Sequence, residues 1–163
     1  MAWTAPRTWV AAETVTASIC NVHIRDNFKA LGDPRTTYSP TLTGVTLGTG
    51  GTVVASYLQT GKDVRGSVII TLGTGGALTA AATFTLPASP SVSVDAYPLG
   101  PAMMYDSSAP TLVDGVCRWV AASSNVCINY HLGTAVGVNA TATTPWTWAV
   151  GDRIFAHFAY EAA

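Results

Sequence analysis

Charge is what this sequence has least of. Asp, Glu, Lys and Arg make up 10% of its 163 residues, against about 25% in an average soluble domain. Eight basic residues nearly balance nine acidic ones, for a net charge of −1, and no basic run occurs. That excludes a phosphate-tracking patch and argues against nucleic acid as a partner. Cysteine is scarce as well. Cys20, Cys117 and Cys127 are odd in number and lack CxxC spacing, which argues against a disulfide framework. They read as small buried hydrophobes, with a Cys117–Cys127 bridge left open. Long apolar runs are missing although 48% of the residues are hydrophobic. Thr, Gly, Asn or Pro breaks each stretch well short of the roughly 18 residues of a spanning helix, so no membrane partner is expected. Trp3, Thr4, Pro6 and Arg7 interrupt the N-terminus, which does not read as a secretion signal.

Motifs for chemistry are absent too. There is no H-E-x-x-H, no G-x-S-x-G and no Cys/His cluster at metal-ligand spacing, so no metal, cofactor or catalytic residue is expected. His23, His131 and His157 are isolated in sequence and read as packed or surface residues. The acidic residues Asp95, Asp106, Asp114, Asp152 and Glu161 are scattered. A glycosidase needs two carboxylates across a cleft; Asp106 and Asp114 flank a loop, but solvation of turns is the better account. The repeated TLGTGG at 46–51 and 71–76 is not a phosphate loop, because neither copy leads into GK[ST] or a helix. It reads as two similar hairpins.

What is present falls into three parts. Residues 1–13 read as an extended anchoring arm, since Pro6 denies a helix. Trp3, Trp9 and Val10 are apolar side chains on a segment with no core of its own. They need a surface, on another protein or on this chain's own β domain. Residues 14–33 read as a helix capped by Thr14 or Thr16 and stopped by Gly32 and Pro34. Ala17, Cys20, Ile24, Asn27 and Leu31 fall at 3-4-3-4 spacing, flanked by Phe28. Such a seam suits a self-associated bundle, in which an Asn can fix register; an amphipathic helix lying on its own domain has the same pattern. Four turns are marginal alone.

From residue 34 to 163 the period becomes two, with strands expected at 52–59, 64–72, 82–86, 116–121, 126–132 and 153–160. Turns are expected at Gly61-Lys62-Asp63, Ser123-Ser124-Asn125 and Gly151-Asp152. In the last strand Ile154, Phe158 and Tyr160 share one face while Phe155 lies on the other. A strand apolar on both faces is covered on both, and a neighbouring subunit is one such cover for Phe155. The expected fold is mainly β: an arm and one short α-helix, then a β-sandwich or jelly roll. Few charges beside many apolar residues suggest that surface is hidden in an assembly. Trp146 and Trp148, with Pro145, form either a sugar-stacking surface or the lead-in to a buried strand.

The segment TWVAAETVTASICNVHIRDNFKAL at 8–31 resembles an N-terminal motif of small tail and surface proteins of tailed bacteriophages, especially those infecting actinobacteria. That pattern runs TW-V-A-G-E-x-V-T-A, then N-x-H-x-R-D-N-x-x-A-L. This chain matches at Trp9, Val10, Ala11, Glu13, Val15, Thr16, Ala17, Asn21, His23, Arg25, Asp26, Asn27, Ala30 and Leu31, and departs with Ala12 where Gly is usual. Residues 38–64, FTLP at 84–87 and WAVGDRIFAHFAYE at 148–161 are similar to the β domain of the same proteins, more loosely. The resemblance implies a virion protein made in the host cytoplasm and carried on the particle surface. Such proteins are minor tail or fibre proteins, trimeric, with a head like that of tumour-necrosis-factor-like trimers. Partners would be sister chains, tail or major capsid proteins, and a host surface glycan. A capsid decoration protein at three-fold positions is the alternative; a tail-associated carbohydrate-active enzyme is disfavoured by the missing carboxylate pair.

Overall fold

A computed structural model describes residues 4–5, 7–32, 34–121, 125–132 and 135–163. Trp3, Pro6, the side chains of Leu31 and His131, and Ser123-Ser124 lie outside the described residues.

Thr16 caps the helical segment, its hydroxyl accepting from the Ile19 N–H at 3.3 Å. The segment runs from α1 (Ala17–Cys20) through a π-helical turn (Asn21–Arg25) to α2 (Asp26–Gly32). It ends at Gly32, before Pro34 blocks continuation. The π turn departs from the single regular helix expected. It inserts one residue into the helical repeat, so positions after it are rotated relative to a seam counted on regular spacing.

All remaining elements are strands: β1 (Thr36–Thr37), β2 (Leu42–Thr46), β3 (Thr52–Thr60), β4 (Asp63–Thr71), β5 (Ala77–Thr85), β6 (Pro98–Asp106), β7 (Thr111–Val120), β8 (Asn125–Leu132), β9 (Ala135–Asn139) and β10 (Arg153–Glu161). They form one antiparallel sheet in the order β1-β3-β4-β10-β6-β7-β8-β5-β2, with β9 on β8. The sheet curls so that its halves face each other in a sandwich-like arrangement. Phe158 on β10 meets Phe84 on β5 at 6.4 Å between ring centroids, although the two strands are not paired.

Strand alternation follows the sequence. Val64, Val68, Ile70 and Leu72 point into the core, as do Ala82 with Phe84, Val126 with Ile128 and Tyr130, and Ile154 with Phe158 and Tyr160. Phe158 is an aromatic hub, with Tyr38 at 6.4 Å and Tyr160 at 5.9 Å. Gly66 makes room for it, since a Cβ there would overlap the Phe158 ring. Gly61 and Lys62 close the β3–β4 hairpin as a two-residue turn with Gly61 at φ 61, the conformation only glycine takes freely.

Two expectations need correction. The TLGTGG copies are not hairpin tips: β2 pairs with β5 and β3 with β4, so each copy is a corner carrying the chain across the fold. The corners bond each other, Thr49 and Thr74 exchanging N–H···O bonds of 2.9 Å in both directions. Glycine makes this crossing possible, because a Cβ on Gly48 or Gly73 would overlap backbone of the other copy. Strand β6 also went unexpected, its Pro98 and Pro101 arguing against a central strand. It tolerates them because its pairing with β10 covers only Ala102–Tyr105, and the register with β7 shifts between Pro98 and Gly100.

Candidate functional site

The N-terminal unit is tied together by polar contacts. The Asn27 side chain accepts from Thr4 N–H at 3.0 Å and donates to Thr4 O at 2.9 Å and to His23 O at 3.2 Å. Asn27 is therefore buried beneath the arm and does not sit on the exposed apolar stripe, a correction that follows from the π turn just before it. The arm is not extended throughout. Glu13 N–H donates to Val10 O at 3.1 Å, Val10 N–H to the Glu13 carboxylate at 3.3 Å, and Ala12 lies at φ 65. Arg7 pairs with Glu13 and lies over the Trp9 ring at 5.2 Å. Ala12 is the position where the resembling pattern has Gly, and left-handed backbone is what glycine provides.

The stripe consists of Cys20, Ile24 and Phe28, spaced by four along the segment. Ile24 is 44% and Phe28 71% exposed. Ala17 is exposed at its start. No described side chain of the helix or arm joins the core of the β domain. Trp9 and Val10 are likewise exposed, so neither packs back onto that domain.

A second apolar surface lies on the outer face of the central strands. Val54, Ile69, Phe155 and Met103 stand directly opposite one another across β3, β4, β10 and β6. One register step away, Arg153 faces Tyr105, which faces Leu112 on β7. Phe155, Ile69 and Met103 are half-buried, while Val54 is 60% and Leu112 58% exposed.

The tryptophans go elsewhere. Trp148 is 5% exposed and belongs to the core, its Nε1 donating to Thr141 O at 2.9 Å. It presents no face for stacking on sugar. Trp146 lies beside it at 5.3 Å and is half-buried, with Nε1 donating to Asp152 Oδ2 at 3.1 Å.

Asp152 is the largest surprise, since solvation of a turn was its expected role. It is fully buried. One carboxylate oxygen accepts from Ser107 N–H at 2.9 Å and Ser107 Oγ at 3.1 Å; the other accepts from Ala149 N–H at 2.9 Å and the Trp146 indole. It thereby clamps two loops to the start of β10. Asp106 is also buried and closes the β6–β7 turn, accepting from Ser108 N–H, Ser108 Oγ and Ala109 N–H at 2.8, 2.7 and 3.1 Å. The Ser108 hydroxyl holds its pKa below the ordinary aspartate value, against the opposing pull of burial. Only a Gly-Asp dipeptide ahead of an apolar strand hinted at Asp152, and that pattern does not separate a solvated turn from a buried clamp.

Chemistry-bearing residues are not brought together. Asp114 stands exposed opposite Met103 on the outer face, while Asp106, opposite Thr111, belongs to the other face of the hairpin, so the two do not face each other across a cleft. Cys117 pairs with Ile128 and Cys127 with Arg118, which puts the two thiols on opposite faces of the β7–β8 pair and leaves them unbridged. Burial pushes the Cys117 thiol up to about 12. Among the described residues no three His, Cys, Asp or Glu side chains form a metal-competent group, and no helix is long and apolar enough to cross a membrane.

The chain matches no family model, no curated protein and no solved structure. The surfaces themselves therefore carry the reading that follows: an exposed apolar helix stripe, an arm pinned against that helix, and an apolar row on the outer sheet.

Proposed function

We propose that this chain is a non-enzymatic structural protein of a tailed-bacteriophage particle, of the minor tail or fibre type. In this reading it is a homotrimer exposed on the particle surface, joined through the helical segment at 17–32. One observation carries it: Ile24 and Phe28 lie exposed on a helix that gives none of its described side chains to the core of its own domain. A helix of about four turns is marginal in water without a partner surface. Burying a side chain the size of Ile or Phe contributes about 1.5–3 kcal/mol, and three-fold association repeats that gain in every copy. The charge-poor composition and the resemblance of residues 8–31 to phage tail and surface proteins support the same reading. Trp9 and Val10 extend the apolar surface toward a tail or capsid protein, and the β domain faces outward, where a host glycan would be met.

The test is sedimentation equilibrium of the full-length chain beside Phe28→Asp and Ile24→Asp variants, together with mass spectrometry of purified particles. The expected results are a trimer for the parent, dissociation of both variants with the β-sheet signal of the far-UV spectrum retained, and the chain among the particle's proteins. A folded chain that stays monomeric at high concentration overturns the reading. Copy number per particle then separates a few tail-tip molecules from the hundreds expected of a capsid decoration protein.

A further inference from the structure

The outer face of β5, β7 and β8 gathers polar atoms that nothing in the chain satisfies. Among the described residues six buried side-chain polar atoms have no hydrogen-bond partner, and three of them, Thr83 Oγ1, Arg118 Nε and Asn129 Oδ1, belong to this one patch. The registers bring them together. Arg118 on β7 stands opposite Cys127 on β8, and Cys127 stands opposite Thr83 on β5. Asn129, further along β8 on the same face, lies between Val116 and Asn139. Cys127 and Asn129 are only 3% and 4% exposed although they face outward, while Arg118, Thr83, Val116 and Asn139 around them are half-buried. The patch is therefore recessed, with Cys127 and Asn129 as its floor and their neighbours as its rim.

The floor fixes the direction of its free acceptor. Asn129 Nδ2 donates to Gly137 O at 3.2 Å and to Asn139 Oδ1, which also accepts from the Cys127 thiol at 3.2 Å. One arm of the Asn129 amide is thus held on β9, and the other arm, Oδ1, is left without a donor. At the rim the Arg118 side chain makes no hydrogen bond or ion pair among the described residues; the pairs formed are Arg7–Glu13, Arg25–Asp26 and Arg65–Asp63. A guanidinium is a planar fork of N–H donors that matches a carboxylate. An amide oxygen needs the opposite, a donor. A simple carboxylate serves only the first, whereas a carboxylate with a hydroxyl beside it serves both.

We propose that this recess binds a hydroxy-carboxylate, its carboxylate on the Arg118 guanidinium and its hydroxyl donating to Asn129 Oδ1, with the Thr83 hydroxyl as a further contact across the floor. Arg118 supplies the opening. Its side chain turns about its stem without breaking a hydrogen bond, because it makes none, and that turn admits the ligand to atoms that are shielded in the unliganded fold. Polar groups left unpaired cost stability, so a ligand that satisfies them also stabilises the fold. A free hydroxy acid and an acidic sugar within a polymer share this chemistry. The site is complete within one chain, so its test is independent of the homo-oligomer reading above.

The full-length chain is titrated with glycolate and with glucuronate, and with acetate and glucose as controls, following the Arg118 Nε–H and Asn129 amide signals by NMR. Saturable shifts are expected with at least one of the two acids; tighter glycolate marks a free hydroxy acid and tighter glucuronate an acidic sugar. Acetate, which lacks the hydroxyl, binds at least about fivefold more weakly, and glucose does not bind. Arg118→Met weakens binding by at least about tenfold and Thr83→Val by about threefold, with thermal melting of the unliganded variants as the folding control. Arg118→Lys, which keeps the charge and loses the fork, falls between the parent and Arg118→Met. No saturable shift with either acid at tens of millimolar overturns the site, as does an affinity unchanged in Arg118→Met and Thr83→Val. Acetate or glucose binding as tightly as the hydroxy acids overturns the ligand class.

Discussion

Asp152→Asn is the sharpest single perturbation of the β domain. It keeps size and shape and changes only the pattern of donors and acceptors. Each carboxylate oxygen of Asp152 receives two donors. An amide in the same place turns one oxygen into a donor, whichever way it flips. With the amide nitrogen toward Ser107, its N–H donates to Ser107 Oγ, whose own proton turns to Val150 O, but it faces the Ser107 N–H, whose bond is lost; with the nitrogen on the other side, both the Ala149 and Trp146 bonds are lost. Hydrogen bonds to a charged acceptor are worth about 1.5–3 kcal/mol each, against about 1 kcal/mol for neutral ones, so losing one bond and neutralising three costs about 3–9 kcal/mol in all. Relief from burying a charge offsets part of this, leaving a net destabilisation of about 3 kcal/mol. Against a total stability of about 5–15 kcal/mol that is a large fraction. For a chain of this length it lowers Tm by about 6–12 °C. Urea unfolding at fixed protein concentration, followed by tryptophan fluorescence, reads the effect directly because Trp146 is one of the donors. Ser107→Ala, which removes one hydroxyl donor and leaves the Ser107 N–H in place, should cost about 1 kcal/mol. If Asp152→Asn costs less than about 1 kcal/mol, the carboxylate is not the clamp described and the reasoning fails.

Two further outcomes follow from the same geometry. Ala12→Gly relieves a left-handed alanine at φ 65, a conformation that costs an L residue about 1–2 kcal/mol. After the added freedom of glycine in the unfolded chain is subtracted, the arm turn gains about 0.5–1 kcal/mol, read as slower hydrogen exchange of the Glu13 amide. The pH profile should fall at both ends. Asp106 is held below its ordinary pKa first by the Ser108 hydroxyl, so its contribution is present above the unfolded value of about 3.9 and is lost as pH drops through the folded one. Asp106→Asn flattens that acid limb. Burial raises Tyr160 and Cys117 each to about 12, so their neutral forms favour the fold until pH rises past their unfolded values of about 10 and 8.5. Stability then declines toward pH 12, measured by circular dichroism in low salt.

Much of the β domain was legible because its signals are local. Alternation over 64–72 and 153–160 fixes which residues face inward, since successive side chains in a strand point to opposite sides. Thr16 as cap, Gly32 and Pro34 as stop, and Gly61 in a tight turn are chemical punctuation that short range decides. What the chain pairs with at long range is not written that way. The two TLGTGG copies look like hairpin tips because a glycine turn between strands usually is one; only the sheet order makes them crossing corners. Pro98 and Pro101 argue against β6, and only its partial pairing with β10 permits them. Asp152 looks like a solvated turn residue until Ser107, on a loop distant in sequence, supplies donors to it.

The sequence by itself determined a charge-poor, mainly β chain with an N-terminal helix and a definite inward face for each strong strand, because periodicity and turn chemistry act between near neighbours. Tertiary structure alone decided that Asn27 is spent on the arm, that Trp148 is core, that Asp152 is a buried clamp, and that Phe155 lies in an apolar row bordered by Arg153 and Asp114. Each of these depends on groups from separate strands or segments meeting in space, and such encounters follow from sheet order and helix phase, which no local pattern encodes.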